Sequence, residues 1–180
     1  MEYKPLKTLR EQIGHKLVSY ECGEGELMFH RAYGNIRLNF EEGAFEIDNI
    51  QKPMIVLGEA DDISIFSCQQ VDPNSKYSPY LPDEKTSIHS IEAVIAGIEV
   101  IEETIDIDDG EFQATFDMAV IFRSARKTFM LSRGWHYSEA IHISEDDNYE
   151  AVYPIAQDRE AWSNDGEHKV SITRKRIQLS

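Results

Sequence analysis

Asp108-Asp109-Gly110-Glu111-Phe112-Gln113-Ala114-Thr115-Phe116-Asp117-Met118-Ala119-Val120-Ile121-Phe122 is the stretch on which the fold turns. Phe112, Ala114, Phe116, Met118, Val120 and Phe122 occupy strictly alternate positions behind a tight Asp-Asp-Gly turn. A period of two places their side chains on one face of a β-sheet. After a short polar stretch, Thr128-Phe129-Met130-Leu131 supplies a returning strand. On the other side Glu99 to Ile107 reads as a strand, with Ile101, Ile105 and Ile107 on one face. Together these segments predict a three-stranded antiparallel meander.

The first half of the chain echoes it. Lys16 to Cys22 reads as a strand, followed by the turn Gly23-Glu24-Gly25 and a long strand from Glu26 to Phe40. Within that strand Leu27 and Phe29 are out of phase with Ile36, Leu38 and Phe40, so a bulge is expected at the intervening Gly34. Glu41-Glu42-Gly43 leads into a third strand, Ala44 to Asp48. Each Gly-terminated turn predicts a hairpin whose glycine takes a left-handed backbone angle. Leu6, Leu9 and Ile13, between Pro5 and Gly14, predict a short helix over 5–13, and Ile88, Ile91 and Ile95 ahead of Gly97 repeat the same spacing.

The expected fold is therefore β-rich α+β. Two tandem units, each a helix plus a three-stranded meander, pack as a sandwich or a partly closed barrel. The units span residues 1–67 and 85–180, joined by a connector over 68–84 that holds Pro73, Pro79 and Pro82, in one compact domain overall. Short strands are expected at 54–57 and 63–66. In the C-terminal part they are expected at 140–144, 150–155 and 169–177, with a turn at Ser163-Asn164-Asp165-Gly166.

With 18 Lys and Arg against 33 Asp and Glu, the 180 residues carry a formal charge of −15. Such a charge disfavours nucleic acid and anionic membrane and favours a basic protein partner. The acidic residues concentrate between Lys85 and Arg123, around Asp106, Asp108 and Asp109, either as a solvated face or as a contact surface. Lys169, Arg174, Lys175 and Arg176 form the basic end, placed to lie against the acidic hairpin of the same molecule or to project as an exposed end. No apolar run is long enough for a membrane span, and the N-terminus lacks a secretory core, so a cytoplasmic protein is expected. Cys22 and Cys68 are expected to be reduced thiols.

Motifs for chemistry are sparse. Asp106-Ile107-Asp108-Asp109-Gly110 lacks the ligand spacing of a calcium loop, His136 and His142 are not spaced as a zinc pair, and nothing indicates a cofactor. There is no GxSxG and no phosphate-binding glycine loop. Glu103 breaks the apolar face of its strand. Either the strand is short or at an edge and Glu103 is wet, or a carboxylate is buried and needs a partner. Arg133-Gly134-Trp135-His136-Tyr137 follows the central hairpin and has the composition of a binding rim. A tryptophan in a β-rich domain, however, is more often packed than presented, and Trp135 then simply caps the open end of the sheet.

These features lead to a non-enzymatic acidic binding protein, an immunity- or inhibitor-like module of the bacterial or phage accessory kind, with Glu103, Asp106, Asp108, Asp109, Arg133, Trp135, His136 and Tyr137 as binding candidates. The alternative is a small-ligand-binding or hydrolytic β protein with its site inside the concave sheet, drawing on Glu103, His136, Tyr137 and His142. A third is a homo-oligomer joined through unpaired strand edges.

Overall fold

The computed structural model describes residues 5–24, 30–164 and 166–180. Among them, eleven strands form two antiparallel sheets. The five-stranded sheet comprises β1 (Lys16–Gly23), β3 (Asn35–Phe40), β4 (Gly43–Val56), β5 (Glu59–Val71) and β6 (Thr86–Val94), in the order β5-β4-β3-β1-β6. The six-stranded sheet comprises β2 (Arg31–Tyr33), β7 (Gly97–Ile107), β8 (Phe112–Arg123), β9 (Thr128–Ser132), β10 (Ala140–Ser144) and β11 (Val170–Leu179), in the order β11-β7-β8-β9-β10-β2. A 3-10 helix (Leu6–Gln12), α1 (Tyr149–Val152) and α2 (Ile155–Ser163) complete the described elements. None of these helices is long and apolar enough to cross a membrane.

The two sheets bury their facing sides in one core, where Leu17, Leu38 and Ile47 of the first meet Val100, Phe122 and Leu131 of the second. Each such side chain contributes about 1.5–3 kcal/mol by leaving water. A second core lies on the opposite face of the six-stranded sheet. There Ile101, Ile105, Phe112 and Ile121 are covered by Tyr149 and Trp162 of the helical segment and by Ile63 and Ile65 of β5. The sheets stay open and do not close into a barrel.

This two-sided burial explains where alternation misleads. In β8, Ala119 pairs with Ile101 but Asp117 with Glu102, so Met118 is an extra residue. The slip exchanges faces. Phe112, Phe116 and Met118 belong to the second core together with Ala119 and Ile121, whereas Val120 and Phe122 belong to the first. The apolar residues of this strand thus serve two cores rather than one face.

Gly34 does more than bulge a strand. Its φ of 72° ends β2 and starts β3, so the chain passes there from one sheet to the other. A Cβ at Gly34 would stand 2.2 Å from the Tyr80 ring, so only glycine fits the corner. Gly25, and with it the first turn, lies outside the described residues, as do residues 26–29 of the expected long strand. At the second turn Glu41 and Glu42 alone connect β3 to β4, and Gly43 pairs with Phe40 as strand. The third turn does use left-handed backbone, with φ of 51°, 55° and 104° at Asp108, Asp109 and Gly110.

Pro53 does not interrupt β4. Beyond Asp48 that strand pairs with β5 but no longer with β3, so an imino nitrogen there breaks no ladder. Residues 86–94 form strand β6, not a helix. Its inward positions alternate, with Ile91, Ala93 and Ile95 buried and Ile88 68% exposed on the other face, so the isoleucine spacing marks no common face. The two halves therefore share the meander but not the helix, and tandem duplication is not established. Residues 150–155, expected as strand, contain α1 and the start of α2; the Asn148 side chain accepts a hydrogen bond from Ala151 N and caps the first of these.

The Pro-rich segment folds back onto the five-stranded sheet, on the face away from the shared core. Buried Arg37 donates to the carbonyls of Asp72 and Ser75, and Asn35 bonds Ser78, Tyr80 and the Tyr77 hydroxyl.

Candidate functional site

The segment between β9 and β10, residues 133–139, carries the densest set of sequence candidates, and it is clamped. Arg133 N bonds Met118 O at 2.9 Å and Ser64 N bonds His136 O at 2.6 Å. Asn49 Nδ2 donates to the carbonyls of Ser138 and Ala140, and Gln51 N to Glu139 Oε1 at 3.0 Å. At Ser64 of β5 both backbone groups are taken, because the carbonyl accepts from the Arg133 guanidinium. An outer-strand position that would otherwise be open is thereby sealed.

Under this loop lies a chain of buried charges. Glu103, Arg133 and His136 are fully buried. The Arg174 guanidinium and the Asp158 carboxylate join them almost without exposure. Arg133 Nη2 lies 2.6 Å from His136 Nδ1, and His136 Nε2 lies 2.8 Å from Glu103 Oε1. Arginine can only donate, so Nδ1 accepts and the imidazole proton sits on Nε2, which donates to Glu103. Arg174 bonds the other Glu103 oxygen, Asp158 and the Tyr153 carbonyl, and lies 4.9 Å above the Tyr149 ring. Arg133 stands 5.1 Å from the Phe116 ring centre, and the Tyr149 hydroxyl donates to its carbonyl.

With His136 neutral, the two arginines and two carboxylates balance. Burial, then the charge of Arg133, pulls the His136 pKa down to about 4. Burial pushes Glu103 up, but the hydrogen bonds from His136 and Arg174 outweigh it and hold this carboxyl below its ordinary value. Burial and the nearby Glu103 raise Asp158 to about 6. Nitrogen NMR of His136 is expected to show Nε2 protonated and Nδ1 bare from neutral pH down to about pH 5. A protonated Nδ1 in that range would contradict the assignment.

Beside the network opens a groove of about 640 Å³, lined by Arg31, Trp135, His142, Val152, Tyr153 and Asp158 among others. Trp135 stands at its rim 49% exposed, between the wholly buried Arg133 and His136. Gly134 permits this, since a Cβ there would come within 2.4 Å of the Tyr153 ring. The β2–β10 pairing sets Arg31 directly opposite His142, whose ring meets Tyr153 edge-on at 5.4 Å. Burial, followed by the charge of Arg31, depresses the His142 pKa to about 4.

The structure thus brings Glu103, Arg133 and His136 together, but in the interior. Glu103 is neither wet nor presented to a ligand. Tyr137 is half-buried, packs against Trp162 and bonds Asp61. Asp106, Asp108 and Asp109 lie elsewhere, at the β7–β8 turn. Asp108 accepts from His168 Nδ1 and Lys169 N, Asp109 pairs with Lys169 Nζ at 2.7 Å, and Asp106 accepts from Gln113. Lys169, Arg174 and Arg176 of the C-terminal basic cluster therefore meet this molecule's own carboxylates.

No known protein family, curated protein or solved structure matches the chain. Function must accordingly be argued from the geometry. Among the described residues no group of three or more His, Cys, Asp or Glu is placed to hold a metal ion. Sequence reasoning had no signal for Arg31, Tyr149, Tyr153 or Asp158. Arg174 stood in the basic cluster, but its partners are visible only once β11 pairs with β7.

Proposed function

We propose that this chain is a non-enzymatic binding protein whose contact surface centres on Trp135 and the adjoining groove, and whose net charge favours a basic protein partner. One observation carries the reading: a half-exposed tryptophan stands in a loop fixed by Arg133 two positions before it and His136 just after it, both with no exposure at all. A large aromatic side chain on a pre-ordered backbone can be covered without ordering the loop first, which is the physical profile of an interface anchor. The charge of −15 would speed encounter with a cationic protein without fixing the docked pose.

Capture from native lysate at low and high salt tests the proposal. Trp135→Ala is expected to keep the melting cooperative, with the midpoint within a few degrees, while partner recovery falls about tenfold or more. Reversal of Asp106, Asp108 and Asp109 is expected to weaken capture mainly at low salt. Loss of cooperative melting in Trp135→Ala would reassign this residue to packing, and partners retained unchanged by both variants would defeat the proposal.

The alternative, a ligand or hydrolytic site inside the concave sheet, finds less support. Glu103 and His136 are enclosed, with His136 packed edge-on against Phe116 and Trp162, so a substrate reaching them would have to displace core side chains.

A further inference from the structure

Arg31 is an anomaly in so acidic a chain. Arg37, Arg123, Arg133, Arg174 and Arg176 each spend their guanidinium groups on carbonyls or carboxylates. Arg31 is half-buried, lines the groove beside Trp135, and its Nε is shut off from water without a hydrogen-bond partner among the described residues. None of the Arg31 guanidinium nitrogens has an acceptor among the described residues, so the side chain that lines the groove can take one there through its Nη groups.

We propose that this groove is a binding site for a small organic carboxylate with an apolar, ring-sized body. The carboxylate would take the guanidinium fork of Arg31, the geometry that arginine recognises best. Its body would lie along Trp135, Val152 and Tyr153, which give the groove its apolar wall. A bare anion lacks the part that this wall would cover, and a neutral ligand leaves Arg31 unpaired. His142, opposite Arg31 and neutral, offers no competing charge. Asp158, the carboxylate that also lines the groove, is already engaged by Arg174. A volume of about 640 Å³ accommodates a ligand of that size. The site stands on Arg31 and does not depend on a protein partner.

The test is a titration of the intact protein with 3-phenylpropionate, followed by NMR at the arginine Nε–H, the tryptophan indole N–H and the histidine ring signals. Saturable shifts are expected at Arg31, Trp135 and His142, while Trp162 stays unchanged. The pKa of His142 is expected to rise on binding, because the ligand's charge offsets that of Arg31. The isosteric 3-phenylpropionamide should not saturate, and inorganic phosphate should bind at least about tenfold more weakly. Arg31→Gln is expected to weaken 3-phenylpropionate about tenfold or more. Arg31→Lys, which keeps the charge and loses the fork, should weaken it too, with both variants melting near the parent protein. Absence of saturation, equal binding of the amide or of phosphate, or an affinity unchanged in both folded variants would overturn the proposal. Each of these results is independent of whether a protein partner is captured.

Discussion

Glu103→Ala is expected to lower the unfolding free energy at pH 7 by about 3–5 kcal/mol, the range for breaking a buried ion pair from one side. Glu103 has no exposure, and its two oxygens accept from His136 Nε2 and Arg174 Nε. Removing it orphans both donors and leaves the interior with more positive charge than negative. Glu103→Gln, which keeps the shape and one acceptor, should lose less. Urea unfolding of the two variants measures the difference. A loss under about 1 kcal/mol for the alanine would mean that water reaches the site and that the network carries little weight.

Arg174→Met should cost a similar amount at pH 7, about 3–5 kcal/mol, and this cost should shrink in acid. It strips the shared cation from Glu103 and Asp158, so two buried carboxylates lose their common partner and Glu103 keeps only its hydrogen bond from His136. In the parent protein, Glu103 sits below its ordinary value, so its stabilisation is present above that value and is lost as pH falls through the folded pKa. His136, depressed to about 4, contributes fully above about pH 6.5 and loses its contribution as pH falls towards 4. Asp158, raised to about 6, runs the other way, its contribution appearing as pH falls below 6 and vanishing as pH rises through it. Without Arg174 both carboxyls are raised and both gain as pH falls. The gap between parent and variant should therefore narrow from pH 7 to about pH 5. Equal gaps at the two pH values, read from denaturant midpoints, would show that these carboxyls are already neutral at pH 7.

Much of the six-stranded sheet was legible because its signals are local. Ile101, Ile105 and Ile107 alternate on β7, Phe129 and Leu131 on β9, and the Asp-Asp-Gly turn adopts the left-handed backbone its residues suggest. Glu103 announced itself as a charge on an apolar face, and the cluster from Arg133 to Tyr137 lies in a hydrogen-bonded loop beside a groove. The isoleucines at 88, 91 and 95 misled because only Ile91 and Ile95 are buried, whereas Ile88 lies on the exposed face of β6. Strict alternation in β8 misled because Met118 is an added residue, visible only against its partner strand.

Strand content, the antiparallel hairpins, the acidic balance and the placing of Trp135 among polar neighbours were all determined by the chain itself, since each depends on residues a few positions apart. The sheet order, the crossing at Gly34, the meeting of Arg31 with His142 and the Arg133-His136-Glu103-Arg174-Asp158 chain were decided only by tertiary structure. Pairing between strands far apart in sequence depends on register and on which faces must leave water, and neither is written in any single stretch.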